Sequence, residues 1–358
     1  MKAITVDMAG RTIGEGHPCF ITYEAGPTHS GLESAKSLVA LAAQAGADAV
    51  KFQIFDPDRL VADRKQLFSY EVLADRASGT TEPVSEPLYD ILVRRCLSET
   101  EWREVKRCAD AHGLAFFATV GFDEDIDFLV ELGCDSIKIA SADVNHVPLI
   151  RRAARTGMCI QLDTGNATLG EIEQAVDLIR AEGNERIIIH QCPSGYPARL
   201  ESINLNIIHT LRRMFPYPVA FSDHTPGWEM DIAAVAMGAN LVEKTITEDR
   251  MTRSIEHIMS LEPHEMRRFI EVIRELETAF GVERRIMQPA EIDKRNAVRR
   301  SLHLTAPVAA GTKLGDTTFD FRRPGYGIGP DVYTQYLHCT LRRDLPAGHR
   351  IGLDDLAW

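Results

Sequence analysis

The chain lacks any apolar run near the roughly twenty residues that a membrane-spanning helix needs. No signal-peptide-like apolar region follows Met1-Lys2-Ala3-Ile4. Cys-x-x-Cys pairs are also missing, and the seven cysteines are scattered along 358 residues. We therefore expect a cytoplasmic protein with reduced thiols, no membrane association and no structural zinc site.

An excess of basic residues is absent as well. The 40 Lys and Arg residues are outnumbered by 52 Asp and Glu residues, which gives a formal net charge of −12. Nucleic-acid binding needs a basic face, so we do not expect nucleic acid as a partner. The contents of 44% hydrophobic and 26% charged residues are typical of a globular protein, and the length suits a barrel with an appendage.

Short apolar runs alternate with segments of helical period over most of the chain. The runs predict eight strands, at 19–23, 49–53, 115–119, 136–140, 159–162, 186–190, 219–221 and 240–243. Amphipathic periodicity predicts helices at 31–45, 169–180, 203–214 and 230–237. Eight strand–helix units predict an α/β fold, a closed (β/α)8 TIM barrel. A doubly wound sheet is the rival, but no GxGxxG motif follows the first strand.

The remaining segments predict the domain organisation. Residues 1–282 form the expected catalytic barrel, and the long polar insertion 56–98 is typical of a loop that covers an active site or a subunit contact. Residues 283–296 are polar and charged, as expected of a linker. Residues 297–358 contain frequent Gly and Pro and short alternating stretches, which predict a small β-rich domain.

Polar side chains recur where the predicted strands end, on the face where barrel active sites are built. Lys51 and Gln53 are two apart on one strand and therefore point to the same side. The other residues at these ends are Glu24, Thr119, Lys138, Ser141, Asp143, Ser194, Tyr196, Ser222 and His224. Two lysines with several hydroxyls predict a receptor for phosphate and carboxylate, and Glu24, Asp143 and Glu256 are candidate acids or bases.

Each of these residues also has a plain structural interpretation. Lys51 could be a lysine at the barrel rim, and His224 could be a satisfied core histidine. The recurrence of polar groups at seven successive strand ends favours a site instead.

Several motifs resemble those of the sialic acid synthase family, transferases that condense phosphoenolpyruvate with a 2-acetamido aldose to make nonulosonic acids. In family order they are EAGPTHSG at 24–31, AGADAVKFQ at 45–53, KIAS at 138–141, SGYP at 194–197 and SDHT at 222–225. RRS at 299–301 and RPGYGI at 323–328 resemble the antifreeze-like (SAF) domain of these enzymes. The resemblance covers nearly the whole chain and implies a homodimer in which each SAF domain reaches over the partner's barrel.

The resemblance also implies roles for individual residues. Phosphoenolpyruvate would be held by Lys51, Thr119, Lys138, Ser141, Ser194 and Ser222. The sugar would meet Gln53, Tyr196 and Arg323, the last delivered to the other subunit's site. Glu24 would lie near the reacting carbons. His224 would bind a divalent metal, manganese in this family, which polarises the open-chain aldehyde. Phosphate would then leave by C–O cleavage.

Four departures from the family pattern concern the same site. Thr245 stands in place of the second metal-binding histidine, so the second protein ligand is open. Glu256 replaces an aspartate that contacts the sugar, and Asp143 replaces a glutamate. Asp163 replaces a serine on the phosphate side, which is unfavourable for phosphate binding unless the carboxylate points away.

These departures lead to a prediction and two alternatives. We predict a modified acceptor, such as the diacetamido hexoses that are precursors of legionaminic or pseudaminic acid. One alternative is a related 3-deoxy sugar-acid synthase with another acceptor, against which the SAF-like tail argues. The other is a catalytically impaired barrel retained for binding, against which the complete set of lysines and serines argues.

Overall fold

The computed structural model describes residues 3–358. Met1 and Lys2, which belong to the segment for which no signal peptide is expected, lie outside the described residues. The chain divides into two compact units, one ending at Gly281 and the other spanning Val282–Trp358. None of the helices in residues 3–358 combines the length and the hydropathy that a membrane crossing requires.

The strands of the first unit form a barrel and two separate hairpins. They are β1 (Val6–Met8), β2 (Arg11–Ile13), β3 (Phe20–Glu24), β4 (Ala49–Gln53), β5 (Leu67–Asp75), β6 (Thr80–Pro87), β7 (Ala115–Thr119), β8 (Ser136–Ile139), β9 (Cys159–Asp163), β10 (Ile187–Gln191), β11 (Val219–Asp223) and β12 (Leu241–Thr245). Eight parallel strands close in the order β3-β4-β7-β8-β9-β10-β11-β12, with β12 beside β3. The predicted TIM barrel is confirmed, and each predicted strand overlaps a barrel strand.

The helices of the first unit lie between these strands. They are α1 (Leu32–Ala45), α2 (Pro57–Leu60), α3 (Leu88–Val93), α4 (Glu99–Ala111), α5 (Asp123–Glu131), α6 (Val147–Ala154), α7 (Leu169–Ala181), α8 (Leu200–Ile203), α9 (Ile207–Met214), α10 (Glu229–Ala236) and α11 (Pro263–Phe280). The helix predicted over 203–214 corresponds to α9, but its predicted start is four residues too early. Asn204 adopts a left-handed conformation with φ of 48°, which ends α8 and separates it from α9.

The barrel interior is apolar towards the amino-terminal ends of the strands. Inward side chains of the barrel strands, including Phe20, Phe117 and Leu241, form one buried cluster with residues of the β1–β2 hairpin. Val6 and Ile13 of that hairpin belong to the cluster, so the hairpin closes the amino-terminal end of the barrel. Polar groups are therefore left to the carboxyl-terminal end, where barrel enzymes carry their active sites.

The insertion 56–98 contains an antiparallel hairpin of β5 and β6 followed by α3. Tyr70, Val72 and Ile91 of the insertion pack with Ile255, which lies in the loop after β12. Arg76 of the hairpin also pairs with Glu262 at 2.5 Å and with Asp249 at 2.8 Å. The insertion is thus attached to the segment that follows the last barrel strand.

The second unit is β-rich, as predicted. It contains α12 (Pro289–Val298) and the strands β13 (Ser301–Leu304), β14 (Phe319–Arg322), β15 (Thr340–Leu341) and β16 (Leu356–Ala357). β13 pairs with β14 and β15 with β16, both antiparallel. Its own small core includes Leu302, Leu314, Leu341 and Ile351. The helix α12 occupies much of the segment predicted as a linker.

Candidate active site

The two-residue period of the strands decides which polar groups face the barrel interior. On β12, Leu241 belongs to the inward cluster, so Glu243 also faces inward and Lys244 faces outward. Lys244 is fully buried among the helices, where it pairs with Asp223 and donates to the carbonyl oxygen of Thr225. On β11 and β12, Ser222 and Glu243 therefore face the barrel interior, and Thr245 follows Glu243 on the same side. Asp223 and Lys244 form a pair on the outward side.

Glu243 links the two lysines at the barrel mouth. Its Oε1 lies 2.8 Å from Nζ of Lys51, and its Oε2 lies 2.7 Å from Nζ of Lys138. Lys51 also pairs with Glu24 on the neighbouring strand, and Ser222 donates from Oγ to Oε1 of Glu243 at 3.0 Å. All five residues are at most 4% exposed. The predicted lysines, serine and Glu24 are thus brought together by a residue that the site prediction omitted.

The opposite charges of this cluster stabilise the ionised forms of Glu243 and Lys51, although burial disfavours those forms. Burial opposes ionisation of Glu243, but Lys138 and Lys51 outweigh it and hold the pKa of Glu243 well below its usual range. Burial likewise opposes the charge of Lys51, yet Glu24 and Glu243 raise its pKa well above the ordinary value. For Glu24, burial prevails over Lys51 and raises the pKa. Of the two carboxylates that pair with Lys51, Glu24 therefore takes up a proton more readily than Glu243.

A chain of polar contacts continues from Lys138. Its Nζ lies 3.0 Å from Oδ1 of Asp163 and 3.1 Å from Nδ1 of His190. Nε2 of His190 lies 3.0 Å from Oε1 of Gln161. Burial and the charge of Lys138 lower the pKa of His190 well below its usual value, so the ring is neutral and Nδ1 accepts from Lys138. Asp163 points towards the lysines rather than away from them, so the lysines are shared by three carboxylates.

His224 has the geometry of a metal ligand. Its Nδ1 lies 3.0 Å from the carbonyl oxygen of Pro193, so Nδ1 carries the proton and donates it. Burial lowers the pKa of His224, which leaves a neutral ring with the lone pair of Nε2 free. The ring of Tyr196 lies 4.7 Å from that of His224, centroid to centroid. This donor fits the divalent ion that the family resemblance implies.

The other predicted site residues are less closely connected. Gln53 and Thr119 are paired in register on β4 and β7, near Lys51 and Lys138. Ser141 accepts at Oγ from the backbone N–H of Gly165 at 3.0 Å. Ser194 donates a hydrogen bond to Oδ1 of Asn166 at 2.8 Å. Asp143 lies in a short 3-10 turn outside the lysine cluster, and Arg323 belongs to the second unit.

A second acidic group resembles a metal site but is already paired. Ligand atoms of Glu262, His264 and Glu265 lie within 4.8 Å of one another. Arg76 holds Glu262 through a bidentate hydrogen bond and lowers its pKa to about 2, and Arg250 pairs with Glu265. The arginines already neutralise these carboxylates, so the group joins the insertion to the barrel.

Glu256 is a site carboxylate whose ionised form is disfavoured by its surroundings. It is 7% exposed, and burial together with the charge of Glu24 raises its pKa from 4.5 to about 7. The raised pKa means that folding favours the protonated form, so stability is lost as the pH rises from about 4.5 through about 7.

Glu256→Gln is therefore expected to be more stable than the natural chain at pH 8, by up to about 3 kcal/mol. The gain should fall below about 1 kcal/mol at pH 5, where Glu256 is protonated in the folded state. Urea unfolding at both pH values measures it, with Glu173→Gln on the exposed face of α7 as the control. An equal difference at the two pH values would contradict the raised pKa.

Sequence reasoning missed four residues that the structure places at or beside the site: Glu243, His190, Gln161 and Arg95. Strand alternation was a usable signal for three of them, because each lies two positions from an inward residue of the apolar cluster. Arg95 carried no such signal, since it follows α3 in the insertion.

Comparison with known proteins agrees with this geometry. The NeuB family profile matches residues 38–285. An N,N'-diacetyllegionaminic acid synthase from Legionella pneumophila is 34% identical over 94% of each chain. The human N-acetylneuraminate-9-phosphate synthase is 30% identical over 85% of this chain and 83% of its own. The crystal structure of an N-acetylneuraminic acid synthetase from Leptospira borgpetersenii is 28% identical, with a TM-score of 0.70 over 83% of this chain and 98% of that chain. The resemblance predicted from the motifs is confirmed: the chain belongs to the NeuB family.

Proposed function

We propose that the protein is a nonulosonic acid synthase that condenses phosphoenolpyruvate with an open-chain acetamido hexose and releases phosphate. The observation that carries this proposal is the buried pair of lysines, Lys51 and Lys138, joined through Glu243 at the carboxyl-terminal end of the barrel. Two fixed ammonium groups suit a substrate that bears both a phosphate and a carboxylate.

The lysines are not free in this structure, so substrate binding must change their partners. Glu24 and Asp163 both have pKa values raised by burial, against the opposing effects of Lys51 and Lys138. An arriving phosphate would raise these pKa values further, so the two carboxyl groups take up protons and release the ammonium groups to the substrate. Protonated Glu24 can then donate to the aldehyde oxygen as the enol carbon attacks the aldehyde carbon.

The phosphate leaves after this carbon–carbon bond has formed. Water adds to C2 of the oxocarbenium-like intermediate, and the bond between C2 and the phosphate oxygen breaks. Lys51 and Lys138 stabilise the negative charge that develops on the departing phosphate. The neutral His190, which contacts Lys138 at 3.1 Å, adds no second positive charge beside it.

His224 is the protein ligand that would hold a divalent ion, through Nε2. Imidazole nitrogen suits manganese, and Thr245, paired in register with Glu24, offers only a hydroxyl where the family has a histidine. When bound, such an ion supplies Lewis-acid polarisation of the acceptor's aldehyde.

The proposed acceptor is a hexose with two acetamido groups. It is supported by Glu256, which places a longer acid on the sugar side, and by the similarity to a diacetyllegionaminic acid synthase. Phosphate release is to be measured with phosphoenolpyruvate, manganese and a panel of amino sugars. We expect turnover with diacetamido hexoses, and turnover with unmodified N-acetylmannosamine alone would contradict this acceptor class.

Calorimetric measurement of phosphoenolpyruvate binding distinguishes a synthase from a non-catalytic barrel. A working synthase is expected to bind phosphoenolpyruvate, whereas the absence of binding both with and without manganese would favour a scaffold role.

We also propose a cytoplasmic homodimer in which Arg323 of one SAF domain serves the partner's site. Light scattering at twice the chain mass supports the dimer, and a monomer mass contradicts it.

A further inference from the structure

Arg95 is a buried cation whose donors are largely unused. Its side chain is 7% exposed, and Nε donates to the carbonyl oxygen of Ile91 at 3.2 Å. Within residues 3–358, neither Nη atom has a hydrogen-bond partner, and no carboxylate oxygen lies within 4.0 Å. The two Nη atoms are not among the fully enclosed unpaired atoms, so a ligand can reach them. Buried arginines are normally paired, so these free donors point to a partner that binds from outside the chain.

The insertion brings Arg95 into the neighbourhood of Glu256, whose carboxylate acts on the pKa of Arg95. Ile91, four residues before Arg95, packs in the same cluster as Ile255, the residue before Glu256. Glu256 has a φ of 71°, a conformation that costs energy for a residue with a side chain. Its carboxylate also has no hydrogen bond or ion pair among the described residues, although the residue is buried. Glu256 and Arg95 are thus close enough for their charges to influence each other, yet they form no ion pair.

The charges around Arg95 restrict what could bind there. Burial lowers the pKa of Arg95, and the carboxylates of Glu256 and Glu24 oppose that effect. Burial and the charge of Arg95 lower the pKa values of His29 and His257 to about 4, so both rings are neutral. An anionic ligand group would face Glu24 and Glu256, and a cationic one would face Arg95. A neutral group with one donor and one acceptor satisfies both sides.

We propose that Arg95 and Glu256 form a subsite for an N-acyl amino substituent of the acceptor sugar. The amide oxygen accepts from the guanidinium group of Arg95, and the amide N–H donates to the carboxylate of Glu256. The inference rests on the proposed function and names the acceptor group that this part of the site recognises. A hydroxyl offers a single oxygen and spans the gap between the two side chains less well than an amide does.

The test compares a diacetamido hexose with two analogues in which one or the other acetamido group is replaced by hydroxyl. The natural chain is expected to prefer the acetamido form over at least one analogue by about 10-fold or more in kcat/KM. Arg95→Leu should reduce that preference to about 2-fold and leave the KM for phosphoenolpyruvate nearly unchanged. Arg95→Lys, which keeps one donor group, should retain part of the preference.

Arg94→Leu is the matched control. Arg94 is exposed and forms two hydrogen bonds with Glu86, at 2.8 and 2.6 Å. Its loss should leave the preference unchanged. Glu256→Ala should reduce the preference as Arg95→Leu does, and the double variant should lose little more, because both side chains bind the same group.

The outcomes separate this inference from the proposed function. A natural chain that releases phosphate with no amino sugar contradicts the proposed function itself. A natural chain that turns over, with an unchanged preference in Arg95→Leu, overturns the subsite alone, as does a stronger preference for an acidic substituent. Thermal melting checks folding. If Arg95→Leu does not fold, Arg95→Gln and Glu256→Ala provide the same comparison.

Discussion

Replacing His224 with alanine is expected to abolish metal-dependent phosphate release, lowering kcat/KM by at least about 100-fold. Nε2 of His224 carries a lone pair that no hydrogen bond within residues 3–358 occupies. The carbonyl oxygen of Pro193 accepts from Nδ1 and so fixes the ring in the tautomer that a metal ligand needs. Thr245 cannot substitute for it, because a hydroxyl is a weak ligand beside imidazole.

Metal content and folding distinguish this effect from a structural one. Purified His224→Ala should hold less manganese after dialysis than the natural chain, while its thermal melting stays similar. His112→Ala, at the exposed end of α4, is the control and should change neither activity nor metal content. Unchanged activity together with unchanged metal content in His224→Ala would remove His224 from the site.

Replacing Glu243 with alanine is expected to lower the free energy of unfolding by about 3 kcal/mol, at the lower end of the cost of breaking a buried ion pair. The change leaves two buried ammonium groups without the carboxylate that joins them. Lys51 keeps Glu24 and Lys138 keeps Asp163, which limits the loss. Phosphate release should also fall, because the lysines lose their fixed spacing.

Urea unfolding measures this change, and Glu173→Ala on the exposed face of α7 is the control, with an expected change below about 0.5 kcal/mol. The double variant Lys138→Met/Glu243→Leu should recover part of the lost stability, because it removes the unpaired charge along with its partner. A stability of Glu243→Ala equal to that of the natural chain would mean that Glu243 does not hold the lysines together in solution.

Most of the barrel was predictable because its signals are local. Apolar runs of three to five residues mark the barrel strands to within about two residues at each end. The helix predicted over 203–214 starts too early for a local reason, since Asn204 adopts a left-handed conformation and α9 begins only at Ile207. Lys51 and Lys138 were found because they interrupt apolar runs, and Glu24 and Ser222 because they directly follow such runs.

The carboxylates were harder to assign from the sequence. Glu243 ends a predicted strand and is flanked by Lys244, and only the direction of each side chain shows that the first faces the site and the second faces the helices. Asp163 was expected to be unfavourable for phosphate binding unless its carboxylate points away, whereas the carboxylate pairs with Lys138 at 3.0 Å. Which carboxylate shares which lysine depends on register between strands that are distant in sequence.

The sequence by itself determined the barrel, the family and the lysine side of the site, because strand period and motif spacing are properties of neighbouring residues. The tertiary structure alone decided that Glu243 joins Lys51 to Lys138, and that the insertion brings Arg95 within electrostatic reach of Glu256. The physical reason is that both arrangements depend on contacts between segments more than 100 residues apart, which burial and packing select and no local pattern encodes.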